Sequence, residues 1–62
     1  MRIDKEKLEL AKARACMSTK DIIDAGISKN TYSQALKQDV LPHTAGKIAR
    51  VLGVDVTEII KN

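Results

Sequence analysis

The residues that start and stop helices lie so close together along this chain that no element can be long. Asp4, Ser18 or Thr19, Ser28, Thr44 and Asp55 each carry a short side-chain oxygen able to accept from the free N–H groups of a first helical turn. Gly26 and Gly53 tolerate the left-handed backbone that ends a helix. Between these marks, apolar residues recur at helical spacing. Leu8, Ala11 and Ala15, with Leu10 beside them and Lys5, Glu6, Glu9 and Lys12 facing outward, predict a first helix over about Lys5 to Cys16. Ile22 and Ile23 predict a short second helix over about Thr19 to Ala25, and Tyr32, Ala35 and Leu36 a third over about Lys29 to Lys37, capped by Ser28. A loop, Gln38 to His43, contains the only proline, Pro42, and precedes a fourth helix capped by Thr44, with Ile48, Val51 and Leu52 inward. A fifth opens at Val54 and Asp55: Asp55 and Glu58 have the spacing of a capping box, and Val56, Ile59 and Ile60 supply apolar contacts. The expectation is an all-α, compact five-helix domain.

The 62 residues make one domain near the lower size limit for folding on packing alone. With one cysteine there is no internal disulfide, and Cys16 with His43, the one histidine, cannot supply the four ligands of a structural zinc site. No metal or cofactor is therefore expected. The core has to be aliphatic, since the chain has no Phe or Trp. Tyr32, the only aromatic residue, is expected partly buried with its hydroxyl near solvent, Cys16 small and at least half-buried, and His43 a polar loop residue. Charges interrupt MRIDKEKLEL where a signal peptide needs a continuous apolar stretch, and no apolar run is long enough for a membrane span. A cytoplasmic protein is expected. No carboxylate pair, Gly-rich phosphate loop or nucleophile with an evident base is present, which points away from an enzyme and from a small-molecule site.

The net charge of +3 decides little, but its distribution is informative. Between Asp24 and Asp39 there is no acidic residue, while Lys29, Asn30, Ser33, Gln34 and Lys37 share one polar face of the predicted third helix. Two short helices, a turn around Gly26, the lone apolar Ile27 and the cap Ser28 make a helix-turn-helix pattern, in which the second helix and the apolar side of the third pack inward and the polar face projects as a ridge.

The segments MSTKDIIDAGISKNTYSQAL and PHTAGKIARVLGVDVTEII resemble the lambda repressor/Cro-like (XRE-type) family of bacterial and phage regulators. The order of Ser18, Ile22, Ile23, Gly26, Ile27 and Ser28, then the polar helix, Pro42 and the run Lys47 to Val54, carries the likeness. The chain differs in having one residue fewer between the second helix's cap and the turn glycine, in the small residue usual in mid-helix being replaced by Ile23 or shifted by the missing residue, and in having no glycine in the loop after the third helix. The resemblance implies a DNA-binding transcription regulator, a repressor of phage or mobile-element type, with the third helix in the major groove. Residue by residue it implies Gln34 as first base reader, Asn30 and Ser33 beside it, Lys29 and Lys37 on guanine or phosphate, Ser28 near a phosphate, and Thr19 and Lys20 as phosphate anchors.

One copy of so small a module reads few base pairs, so a weak homodimer completed on a palindromic operator is expected, Ile59 and Ile60 closing the core or forming part of its patch. Two other readings use the same fold. One is a protein-interaction module, antirepressor-like or antitoxin-like; the other is an excisionase-like architectural protein that bends its DNA.

Overall fold

Side-chain caps set where most of the helices begin. In a computed structural model describing residues 1–61, Asp4 accepts from Glu6 and Lys7 N–H at 3.0 and 3.2 Å and starts α1, Lys5–Ala15. Ser18 starts α2, Thr19–Asp24, through a reciprocal capping box: its hydroxyl accepts from Asp21 N–H at 3.3 Å, and the Asp21 carboxylate accepts from Ser18 N–H at 2.9 Å. Ala25 caps the end of α2, and Gly26, at φ 115°, makes the turn. Ser28 starts α3, Lys29–Lys37, accepting from Thr31 N–H at 3.1 Å.

The fourth helix differs from expectation. α4 spans Pro42–Leu52, so the loop before it is shorter and His43 lies in its first turn. Its N-cap is Leu41, with no side-chain hydrogen bond; Pro42 fills the first position, where a missing N–H costs nothing. Thr44 is inside the helix and does not cap it. Gly53, at φ 71°, ends α4 as its glycine suggests.

The fifth helix reduces to one 3-10 turn, Val56–Glu58. Asp55 caps it by accepting from Thr57 N–H at 2.9 Å, but Glu58 does not close a capping box and pairs instead with Arg14 of α1 at 2.9 Å. The backbone beyond the turn is drawn into a different pairing. Ile3 and Ile60 form an antiparallel bridge, with Asp4 N–H donating to Ile59 C=O and Lys61 N–H to Arg2 C=O, both at 2.8 Å. On the other edge of this short extended segment, Val40 N–H donates to Met1 C=O at 2.6 Å.

The fold is therefore all-α, with four helices and no strand among the described residues. Its core is Leu8, Ala11, Ile22, Ile27, Tyr32, Ala35, Ala45, Ile48, Ala49, Leu52 and Ile59, closed at one end by Ile3. Ile59 belongs to the core and Ile60 packs partly against it. Three residues in and just after α1 depart from expectation. Leu10 is 62 % exposed. Cys16 lies just past the helix end as its left-handed cap, φ 54°, with its side chain exposed. Lys12, expected outward, is 9 % exposed, and its ammonium donates to Glu9, Thr19 and Tyr32. No helix among the described residues is long and apolar enough to cross a membrane.

Candidate nucleic-acid interface

The two sides of α3 are sharply divided. Tyr32 and Ala35 are buried and Leu36 partly so, while Lys29, Asn30, Gln34 and Lys37 are exposed and Ser33 is half-buried. At 100° per residue these last five cover about 140° of the helix circumference, a single polar strip. Among the described residues, none of the five side chains is engaged in an ion pair or hydrogen bond. Their donors and acceptors are presented to solvent.

The acids nearest α3 in sequence are occupied or lie past its ends. Asp21 is held in the capping box, where the Ser18 N–H and hydroxyl stabilise its carboxylate and lower its pKa. Asp24 ends α2, and Asp39, just past α3, approaches Arg2 at 3.8 Å. Lys37 shares an open cleft with Arg2, Asp4, Lys5, Glu6 and Lys61, so the C-terminal end of the polar strip has mixed charge around it. The N-terminal end is different: Ser28 and Thr31 line a shallow cleft with His43 and Lys47, two groups from α4 and no acid.

The remaining expected site residues are held in distinct ways. The Ser28 hydroxyl accepts from Thr31 N–H and donates to Thr31 Oγ1 at 2.7 Å, so its own hydrogen bonds are spent on the cap. Lys20 is exposed and without an ion-pair partner among the described residues. Thr19 is half-buried, and its hydroxyl accepts from Lys12 Nζ at 2.9 Å. Lys12 also donates to Tyr32 Oη at 3.3 Å and to Glu9 Oε1 at 3.2 Å. Three donors thus meet three acceptors, and one ammonium links α1, the start of α2 and the buried side of α3. Burial works against the Lys12 cation, but the hydrogen bonds from it to Tyr32 and Glu9 outweigh that penalty and raise its pKa above the ordinary lysine value. The Tyr32 ring is buried, and its hydroxyl, expected near solvent, is held against Lys12 instead.

Sequence reasoning missed two groups. Lys12 looked like a surface charge, and a lone lysine among alternating charges gives no sign of burial. His43, Lys47 and Arg50 all lie exposed along α4 and together border one surface cleft with Gly46; their spacing of i, i+4 and i+7 was a legible signal of a shared basic face. Compared with known proteins, the chain matches no family model, no curated protein and no solved structure.

Proposed function

We propose that this chain is a sequence-specific double-stranded DNA-binding transcription regulator in which α2, the Gly26 turn and α3 act as a helix-turn-helix, with α3 in the major groove. The observation that carries this reading is the strip Lys29, Asn30, Ser33, Gln34 and Lys37: acid-free, uncommitted, and backed by a buried apolar face that fixes the helix in place. Gln34 has the paired donor and acceptor that match adenine N6 and N7, and Asn30 offers the same pair nearer the helix start. Lys29 and Lys37 bind guanine O6 and N7 or a phosphate oxygen. Lys20 and the Thr19 hydroxyl contact the flanking backbone, and Lys47, beside Ser28, extends the positive potential. Ser28 serves the site as the cap that holds the N-terminus of α3, rather than as a donor of its own.

A module of this size binds as a symmetric pair on two half-sites about one helical turn apart. Repeated selection from a pool of random duplexes tests the reading: it predicts enrichment of a palindromic consensus with that spacing. A pool that shows no enrichment even at low salt contradicts it.

A further inference from the structure

The ammonium of the largely buried Lys12 donates at 2.9 Å to the one hydroxyl of α2 assigned to the DNA backbone. A hydroxyl that accepts from an ammonium turns its own proton away from that cation, and Thr19 has no acceptor for that proton among the described residues. The adjacent positive charge also strengthens the hydroxyl as a donor and favours an anionic acceptor. Tyr32, on the buried side of the recognition helix, is fixed by the same nitrogen at 3.3 Å. The cationic ring stacking is slight by comparison, with Nζ 5.8 Å from the Tyr32 ring centre. Glu9, whose side chain is 70 % exposed, occupies the third donor and leaves the other two for Thr19 and Tyr32.

We propose that Lys12 is a positioning residue for DNA binding: it aims the Thr19 hydroxyl at a backbone phosphate and, through Tyr32, locks the base-reading helix to that phosphate grip. Lys12 itself touches no DNA. This rests on the DNA-binding reading above and adds to it a residue on α1, outside the helix-turn-helix segment. The role explains why a lysine occupies a nearly closed position on α1 between the apolar Leu8, Ala11 and Ala15, where an aliphatic side chain would fill the same space.

A double-mutant cycle on a selected duplex tests it, with folding of each variant followed by circular dichroism. Thr19→Val and Lys12→Met are each expected to weaken binding about tenfold, the scale of one charge-assisted hydrogen bond. Thr19→Ser, which keeps the hydroxyl, is expected to recover most of the affinity that Thr19→Val loses. Lys12→Met is expected to cost little more in the Thr19→Val background. A scan of neutral methylphosphonate replacements along the duplex is expected to show one backbone position to which the parent is sensitive and both variants are not. Additive losses, or parental binding by Thr19→Val, overturn the proposal while leaving DNA binding intact. Failure of the parent to bind any duplex overturns both. Should Lys12→Met not fold, Lys12→Gln, which removes the charge but keeps a polar side chain, takes its place in the cycle, and losses additive with Thr19→Val again overturn the proposal.

Discussion

Ile3 and Ile60 face each other across an antiparallel bridge that joins the beginning of the described chain to its end. Ile3 is 4 % exposed, so a residue outside every helix forms part of the core. The bridge also uses the backbone that a fifth helix would need, since Ile59 C=O accepts from Asp4 N–H.

Ile3→Ala is expected to destabilise the fold by about 2–4 kcal/mol, a large share of what so small a domain has. Leu10→Ala, at an exposed position of α1, is expected to change stability by no more than about 0.5 kcal/mol. Urea unfolding of the two variants checks the contrast; equal effects contradict the assignment of Ile3 to the core.

Cys16 holds a left-handed conformation, φ 54°, at a cap where its side chain makes no buried contact. Glycine takes that conformation without the steric cost. Cys16→Gly is therefore expected to stabilise the fold by about 1 kcal/mol, raising Tm by about 4–8 °C, and Cys16→Val to lower it. Thermal melts under reducing conditions give the comparison, and an unchanged or lower Tm for the glycine variant contradicts it.

The capping carboxylates set the acid limb of stability. Backbone N–H donation from Ser18 and Thr57 lowers the pKa of Asp21 and Asp55 respectively, so their contribution is present above the ordinary carboxylate value and is lost as pH falls through the lower folded one. Lys12 has the opposite sign: its raised pKa gives a contribution complete below the ordinary lysine value and lost as pH rises through the higher folded one. Melting temperature is expected to fall below about pH 4, less steeply for Asp21→Asn. An Asp21→Asn acid limb as steep as the parent's contradicts the capping account.

The legible parts of this fold are those written in neighbouring residues. Ser28, the apolar spacing of Tyr32, Ala35 and Leu36, and the polar strip opposite them place α3 over the range Lys29–Lys37 in both sequence and structure. α4 was misplaced at its start because Leu41 has no capping side chain, whereas Thr44, which has one, falls one turn inside. The Ile3–Ile60 bridge and the Lys12 hub were invisible for a different reason. Both depend on partners distant along the chain, and neither isoleucine nor lysine announces such a partner locally.

Within the strip, Gln34 and Lys37 are expected to fail differently. On the proposed reading Gln34 makes a bidentate contact to one base, so Gln34→Ala is expected to cost about 1–3 kcal/mol while relaxing preference at that base pair alone. If Lys37 binds a phosphate, Lys37→Ala weakens all sequences alike and lowers the salt dependence. Binding to single-base variants of the selected duplex separates the two, and a Gln34→Ala variant with undiminished preference at every position contradicts its role as a base reader.

The most direct test is the affinity of the purified chain for its selected duplex as salt is raised. Each cationic phosphate contact contributes a log–log slope of about −0.9, so if Lys20, Lys29 and Lys37 of both protomers of the proposed pair each meet a phosphate, the six contacts predict a slope of about −5, with a scrambled duplex bound far more weakly. A flat salt dependence, or equal binding to the scrambled duplex, contradicts the account of α3 as a DNA-reading helix.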